Sequence, residues 1–257
     1  MELSQMKAAH EELARLDYEP VELKHGYAGR TLYVNLSEMR IETKPVTQYM
    51  KDYFIGGKGF DLYLMWHAIP GPIAWDDPLN EICVASGPLG GTTAFSGTSK
   101  CIVTGISPNT GSVMDSNVGG HFGPLLKHAG FDALEIQGKA ADDVLVIVDG
   151  KQNRVTVETA PHEAINSCDL AEQLHQMYAD EPGELQSISV ISAGLGAEHT
   201  LIGCLNCSFY DFHRGKPRLK QAGRGGLGSV FRNKKLKGLV TRAPHDRPRW
   251  KISVASP

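Results

Sequence analysis

The sequence predicts an α+β fold. Short segments that alternate apolar and polar residues, as half-buried strands do, recur along the chain, whereas helical periodicity is confined to a few short segments. Strands and helices do not alternate regularly, and this order favours an α+β protein over a doubly wound parallel sheet. With 257 residues, of which 41% are hydrophobic, the chain is long enough for one large domain or two small ones.

The first half is predicted to contain a hairpin, three helices and three further strands. The hairpin is formed by TLYVNL and RIETKPV, with a turn at Ser37 and Glu38. A helix follows in TQYMKDYFIGGKG, which Gly56 and Gly57 are expected to end in a left-handed conformation, and FDLYLMWHAI forms the next helix. The strands are EICVASGPLGG, KCIVTGI and the start of GSVMDSNVGGHFGPLLKHAG, whose end is predicted to be a short helix that stops at Gly130.

The second half is predicted to contain mainly strands. DALEIQG, DVLVIVDG and NRVTVETA are strands, and the last two form a hairpin through Asp149 and Gly150. SCDLAEQLHQMYAD is helical, with Ser167 capping its start. SISVISAG and EHTLIGCLNC are predicted strands, followed by a short helix in GSVFRNKK and a strand in KGLVTR. The sequence contains no strict internal repeat.

Composition excludes several classes of protein. The first twenty residues mix acidic and basic side chains and lack an apolar core, so they are not a secretory signal, and no later run is long enough to span a membrane. Five scattered cysteines argue against a disulfide scaffold and fit a reducing, cytoplasmic location. We expect a helical extension at residues 1–25, a folded domain at 26–242 and, because prolines interrupt the pattern after it, a linker or tail at 243–257.

A basic, glycine-rich segment stands near the end of the chain. The net charge is −3, yet residues 212–236 contain eight Lys or Arg and no Asp or Glu. Within this segment, KQAGRGGLGSVF places Gly223, Gly225 and Gly228 at the G-x-G-x-x-G spacing of dinucleotide-binding loops. The preceding KPRLKQA is not a buried apolar strand, and no acidic residue follows at the ribose-binding distance, so a nicotinamide site is disfavoured.

A phosphate-binding turn is the better interpretation of this loop. Exposed backbone N–H groups in a basic setting, ahead of a short helix, suit a phosphate or pyrophosphate. The alternative is that the glycines only make a tight turn and the basic residues form a solvated face. Two further glycine-rich segments, SGTSK at residues 96–100 and SNVGGHFG at 116–123, predict that three loops converge on one extended ligand.

Several motifs occur in the order found in a known family. They are GRTLYVNLSEMRIETKPV, YFIGGKGF, ASGPLGG, the run from GISPNTG to DALEIQGKA, and AGRGGLGSVFRNKKLKGLV. In these motifs, the chain resembles the N-terminal domain of the tungsten-containing aldehyde ferredoxin oxidoreductase family, which includes the catalytic subunits of tungsten-dependent benzoyl-CoA reductases. The resemblance implies two β-sheets related by a pseudo-twofold axis. It also implies a tungsten bis-molybdopterin (tungstopterin) cofactor lying on them, with Mg²⁺ bridging the pterin phosphates.

The resemblance assigns roles to individual residues. It implies that Asn117 and Gln221 supply carbonyl oxygens to the Mg²⁺, a cation that prefers oxygen ligands. Lys100 and Lys220 fall where well-studied family members have arginine, so the charge is retained while the bidentate fork is lost. The full set of residues expected to face the cofactor is Lys100, Asn117, Gly119, Gly120, His121, Lys220, Gln221, Ala222, Gly223, Arg224 and Gly225. None of them is expected to be catalytic.

Other parts of the family's active site belong to later domains. These are the cysteines of a [4Fe–4S] cluster, the second set of pterin-binding motifs and the acid and base residues near tungsten. The resemblance therefore implies that activity needs C-terminal domains or a separate catalytic or iron–sulfur subunit, with ferredoxin or another low-potential carrier for electrons. The complete enzyme would oxidise an aldehyde or reduce an acyl or aryl substrate, and this chain by itself would be inactive.

Weaker signals leave alternatives open. Cys204 and Cys207 form a C-x-x-C pair, but further ligands at a recognisable spacing are absent, so two partly buried thiols are favoured over a metal or redox site. His121 follows the paired glycines, and a cofactor contact and a purely structural role are balanced there. The basic glycine-rich segment is also compatible with RNA binding, which the scarcity of neighbouring aromatic residues disfavours. A non-catalytic scaffold subunit of a redox complex is the remaining alternative.

Overall fold

A computed structural model describes residues 2–92 and 97–244, which form two mixed β-sheets with short helices. Within these residues the strands are β1 (Glu12–Asp17), β2 (Arg30–Asn35), β3 (Arg40–Pro45), β4 (Ile82–Ala85), β5 (Cys101–Ile106), β6 (Val113–Val118), β7 (Ala133–Gln137), β8 (Val144–Asp149), β9 (Arg154–Thr159), β10 (Ile188–Ser192), β11 (Leu205–Asp211), β12 (Lys216–Ala222) and β13 (Leu236–Arg242). The α-helices are α1 (Leu3–Ala8), α2 (Gln48–Tyr53), α3 (Lys58–Ala68), α4 (Phe122–His128), α5 (Ser167–Tyr178) and α6 (Leu227–Asn233). Short 3-10 helices lie at Pro182–Ser187 and Leu195–His199.

The two sheets repeat one topology. The smaller sheet has the order β3-β2-β7-β4-β5-β6, and the larger sheet has β1-β9-β8-β13-β10-β11-β12. Apart from β1 the orders correspond strand for strand, with one parallel pair in each sheet, β2 with β7 and β8 with β13. The expected α+β fold with two related sheets is confirmed. The repeat lies in the strand order, where a search for strict sequence repeats does not detect it.

The main core lies between the sheets and contains helices α4 and α6. Phe122 and Leu126 of α4 and Val230 and Phe231 of α6 are at most 1% exposed. Helix α4 packs against β10, β11 and β13 of the larger sheet, and α6 packs against β4 and β5 of the smaller one. Each half of the repeat therefore contributes a helix that covers the sheet of the other half, and this arrangement removes apolar surface of both halves from water.

The outer faces of the sheets carry the remaining helices. Helices α2 and α3 cover the smaller sheet through a cluster that includes Met50, Phe60 and Leu64, and α5 covers the larger sheet through Leu170 and Leu174. Strands covered on both faces read as near-continuous apolar runs, as in ICVA of β4 and VLVIVD of β8. The outermost strands β6 and β12 remain more polar and exposed.

The N-terminal segment differs from the expected helical extension. Only Leu3–Ala8 is helical, and Glu12–Asp17 forms the outermost strand of the larger sheet, antiparallel to β9. Exposed and half-buried residues alternate in ELARLD, as they do in an edge strand. The segment is a strand because it pairs with the distant β9. The tail expected at 243–257 lies outside the described residues from 245 onward.

Three local expectations need correction, and one polar segment forms an edge strand that periodicity does not indicate. EHTLIGCLNC is not one strand, because a 3-10 helix occupies Leu195–His199 and the strand begins at Leu205. The cap of α5 is Asn166 rather than Ser167, since Asn166 Oδ1 accepts the N–H groups of residues 168 and 169. Helix α2 ends before Gly56, and Ile55 adopts the left-handed conformation with φ of 63°. KPRLKQA, which lacks an apolar pattern, forms edge strand β12.

Candidate functional site

The predicted site residues lie on the edge strands β6 and β12 and in the loops that follow them. These strands end the equivalent three-stranded meanders of the two sheets, and they contact each other. The loop after β6 contains Gly119, Gly120 and His121 and leads into α4. The loop after β12 contains residues 223–226 and leads into α6. The two glycine loops therefore occupy equivalent positions in the repeated topology.

Direct contacts bring the two glycine loops together. The Arg224 N–H donates a hydrogen bond of 3.2 Å to Ser116 Oγ of β6. Lys220 Cγ lies 3.3 Å from the place that a Cβ on Gly119 would take. A Cβ on Gly225 would lie 2.9 Å from that of Met114 in β6, so this glycine permits close approach of the two edges.

The third glycine-rich segment reaches the same face. Lys100 precedes β5, and its Nζ donates a hydrogen bond of 3.2 Å to Asn117 Oδ1. The pairing of Ile102 with Asn117 across β5 and β6 fixes this proximity. Ser96, the first residue of SGTSK, lies outside the described residues. Lys100 and the two glycine loops thus lie at one place, where β6 contacts both β5 and β12.

Three cations at this place have no acidic partner. Lys100, Lys220 and Arg224 are exposed, and none of them forms an ion pair with any residue in 2–92 or 97–244. Asp115, two residues before Asn117, is paired with Lys58 at 2.6 Å. The positive charge of the three side chains is therefore available to an anion.

The glycines of the site serve two different purposes. Gly120 has φ of 94°, and a Cβ there would lie 2.6 Å from Cys207 Sγ and 3.1 Å from two carbonyl oxygens, so its role is to fit the loop against β11. Gly223 has nothing within 4 Å of an added Cβ. Its bare backbone faces open space beside Arg224, so a ligand can approach it closely.

The remaining predicted residues have distinct settings. His121 is half-buried, its N–H donates to the Ser208 carbonyl at 3.2 Å, and its ring centroid lies 5.7 Å from that of Phe209. Gln221 is exposed, and its Nε2 donates to Asn206 Oδ1 at 3.3 Å. The Ala222 side chain is fully buried in the core, so only the backbone of Ala222 can take part in binding.

A buried hydrogen-bond chain behind His121 was not predicted. His175 Nδ1 lies 3.0 Å from the Leu185 carbonyl, which can only accept, so Nδ1 carries the proton and Nε2 accepts from Ser208 Oγ at 2.8 Å. Burial lowers the pKa of His175 to about 4, which keeps the ring neutral. These hydrogen bonds fix Ser208, whose carbonyl accepts the backbone N–H of His121. Helical periodicity in α5 indicates only that His175 is buried, and its partner in β11 has no signal in the sequence.

Two other features are a cysteine pair and a cleft. Cys207 is buried and Cys204 is partly exposed, and within the part of the chain that the structure describes no three His, Cys, Asp or Glu side chains are grouped to hold a metal ion. A cleft of about 640 Å³ lies at the other end of α6. Its lining mixes acidic and basic side chains, and Arg232 there pairs with both Asp143 and Glu198.

Two sheets of corresponding strand order, with glycine loops and three cations without an acidic partner among the described residues at their joined edges, define an α+β domain of two related halves. The family model for the aldehyde ferredoxin oxidoreductase N-terminal domain matches residues 31–243. The chain belongs to the aldehyde ferredoxin oxidoreductase family, of which it contains the N-terminal domain.

Named relatives agree with this assignment. The chain is 32% identical over 219 residues to a tungsten-containing aldehyde ferredoxin oxidoreductase of Pyrococcus horikoshii, which covers 84% of this chain and 33% of the relative. It is 30% identical over 224 residues to that of Pyrococcus furiosus, covering 87% of this chain and 34% of the relative. It is also similar, at 24% identity over 234 residues, to the WOR-like subunit of an aliphatic sulfonate oxidoreductase of Pyrococcus furiosus, covering 87% of this chain and 36% of that subunit.

A solved structure shares the fold. It is the active site complex BamBC of benzoyl coenzyme A reductase with 1,5-dienoyl-CoA, with a TM-score of 0.73, 25% identity, and coverage of 85% of this chain and 31% of the other. The chain spans about a third of the length of these relatives. No helix within residues 2–92 and 97–244 is both long and apolar enough to cross a membrane.

Proposed function

We propose that this chain is the tungstopterin-binding part of an aldehyde ferredoxin oxidoreductase-type enzyme. The observation that carries the proposal is the convergence of three unpaired cations with two equivalent glycine loops at the joined edges of β6 and β12. A cofactor composed of two like halves, each with a phosphate, matches a site composed of two like halves. The open space at Gly223 provides room for backbone approach to such a ligand.

Each residue has a stated role in the proposal. Lys100, Lys220 and Arg224 attract and orient the phosphates through charged hydrogen bonds, which are the stronger kind. The backbone carbonyls of Asn117 and Gln221 would hold Mg²⁺, a cation that prefers oxygen ligands. The bound tungsten centre supplies two-electron oxidation or reduction of an aldehyde or an acyl or aryl substrate.

The proposal includes parts that other polypeptide must supply. A [4Fe–4S] cluster and the groups that move protons at the metal belong to C-terminal domains or to a partner subunit, and ferredoxin or another low-potential carrier exchanges the electrons. We place the complete enzyme in the cytoplasm. The chain's own contribution is to bind the cofactor, to orient it and to cover one side of it.

A charge substitution at Lys220 tests the proposal. Lys220→Gln in the assembled enzyme removes one charged hydrogen bond, worth roughly 1.5–3 kcal/mol, and should lower cofactor affinity by about one to two powers of ten. Lys216→Gln is the matched control, because Lys216 lies on the same strand but four residues farther from the glycine loop than Lys220. Tungsten and pterin content per chain are the measurements.

The outcomes separate the proposal from its alternatives. Equal tungsten and pterin occupancy in both variants would contradict a phosphate role for Lys220. Purified complexes with neither tungsten nor pterin would indicate a scaffold subunit. Nucleic acid that stays bound at low salt and is released by salt would indicate an RNA-binding module.

A further inference from the structure

Two buried cations occupy equivalent places in the repeated topology. Lys127 is the sixth residue of α4 and Arg232 is the sixth residue of α6. Both are almost completely buried, with 1% and 2% of their surface exposed. Each of these helices follows a glycine loop and precedes the strand that completes its sheet. A buried Lys or Arg is uncommon unless its charged group has a partner, so the contacts of both side chains are informative.

Lys127 contacts the loop that leads to Lys100. Its ammonium donates a hydrogen bond to the carbonyl of Gly87, two residues after the end of β4. On its other side Gly87 lies close to the residues that lead into α3, since a Cβ on Gly56 would lie 3.0 Å from Gly87 Cα and the Gly57 N–H donates to the Ser86 carbonyl at 3.2 Å. The β4–β5 loop therefore starts between a helix terminus and a buried ammonium group.

Arg232 contacts the equivalent loop of the other half. Its Nη2 donates to Glu198 Oε1 at 2.6 Å, and Glu198 lies in the connection between β10 and β11. That connection corresponds to the β4–β5 loop in the repeated strand order. Arg232 also pairs with Asp143 at 2.8 Å, just before β8. The same helix position thus holds the same loop in both halves, through a lysine in one and an arginine in the other.

We infer that Lys127 and Arg232 are equivalent positioning residues, that Lys127 holds the described start of the β4–β5 connection as Arg232 holds the β10–β11 connection, and that Lys127 thereby orders the segment that leads to Lys100 at the proposed anion site. The described part of that segment contains Gly87, Gly90, Gly91 and Gly97, and glycine restricts the backbone least, so contacts with other elements are needed to hold it. Its far end is fixed by β5 and by the bond from Lys100 to Asn117. Lys127 fixes the near end through Gly87. The further link from this loop to a bound anion rests on the proposed function.

Hydrogen exchange of the 257-residue chain, followed by mass spectrometry, tests the positioning role without any cofactor. In Lys127→Met, the amides of residues 89–92 and 97–100 should exchange at least ten times faster, while those of residues 195–203 should not change. Arg232→Met should give the opposite pattern. Lys127→Arg retains a donor and should restore slow exchange.

Two results would overturn the positioning role. One is unchanged exchange of residues 89–92 and 97–100 in a folded Lys127→Met chain. The other is a uniform increase in every segment, which would show a general loss of stability. If Lys127→Met does not fold, Lys127→Gln gives the same comparison, because it removes the charge and shortens the side chain while remaining polar.

Cofactor retention in the assembled enzyme separates this inference from the proposed function. Lys127→Met should lower tungsten and pterin content, as Lys220→Gln does. If only Lys220→Gln lowers it, Lys127 does not place Lys100 and the proposed function stands. If neither variant lowers it while loop exchange increases, the positioning role stands and the proposed anion site is wrong.

Discussion

Two buried side chains have pKa values displaced in opposite directions. Burial, with the nearby Glu135 carboxyl, raises the pKa of Glu81 to about 7, and burial lowers the pKa of His175 to about 4. Between pH 4.5 and 7 folded Glu81 keeps a proton that the unfolded chain loses, so its contribution to stability falls as pH rises. Between pH 4 and 6.5 unfolded His175 binds a proton that the folded chain does not, so its contribution rises with pH.

Single substitutions should reveal these opposed contributions. The difference in unfolding free energy between Glu81→Gln and the parent chain should increase by roughly 3 kcal/mol from pH 4.5 to pH 7, because each unit of pKa shift corresponds to about 1.4 kcal/mol. The corresponding difference for His175→Gln should decrease by a similar amount between pH 4 and 6.5. Urea denaturation at pH steps measures both, and parallel profiles for Glu81→Gln and the parent would contradict the prediction.

At the residue scale, the order of the motifs predicts which residues lie close together better than the type of any single residue does. Lys100, Asn117, Lys220 and Arg224 lie within one group of contacts, as expected. Ala222 was predicted from its place in the loop motif, but its side chain is in the core, because the last residue of β12 points inward. Glu81 and the partners of His175 were not predicted, since buried polar contacts depend on which distant strands become neighbours.

At the scale of elements, the hairpins were predictable and the polar edge strand was not. Turn residues at Asp149 and Gly150, the apolar run of β8 and the alternating pattern of β9 identify this hairpin directly. Strand β12 reads KPRLKQA, and it forms because β11 pairs with it along its whole length. An edge strand with a solvated face needs few apolar residues, so periodicity gives little indication of it.

The glycine loops allow a paired test of structure against ligand contact. Gly120→Ala should destabilise the chain by roughly 1–3 kcal/mol, because it combines a left-handed backbone with a Cβ placed 2.6 Å from Cys207 Sγ. Gly223→Ala meets no atom within 4 Å and should leave stability within about 0.5 kcal/mol of the parent. If the cofactor approaches this backbone, Gly223→Ala should nevertheless lower tungsten and pterin content.

Denaturation curves measure the stability of both glycine variants, and elemental analysis measures their tungsten content. A stable Gly120→Ala chain would contradict the packing argument. Full cofactor content in Gly223→Ala would show that the ligand stays away from this loop, whatever the effect on stability.

At the scale of the whole molecule, the site is a surface rather than an enclosed pocket. The chain spans about a third of the length of its relatives, and the exposed members of the site include Lys100, Lys220, Gly223 and Arg224. Enclosure strengthens charge pairing by lowering the local dielectric and adds contacts on the remaining sides of a ligand. We therefore expect weak cofactor retention and no aldehyde oxidation by the 257-residue chain alone.

An assay with an aldehyde and a viologen or ferredoxin acceptor checks this expectation. Adding the C-terminal domains of a relative, as a fusion or as a separate chain, should restore metal content and turnover together. Metal-dependent turnover by the single chain would show that it has a complete active site.

The shared strand order has a consequence for the history of the chain. Duplication and fusion of one gene of about half this length is one event that produces such a repeated strand order. After fusion each loop could diverge on its own, and the present pairs show it. Asn117 corresponds to Gln221, and Lys100 corresponds to Cys204, because Cys101 and Leu205 begin equivalent strands opposite Val118 and Ala222. At this one position an ammonium group in the first half thereby corresponds to a thiol in the second.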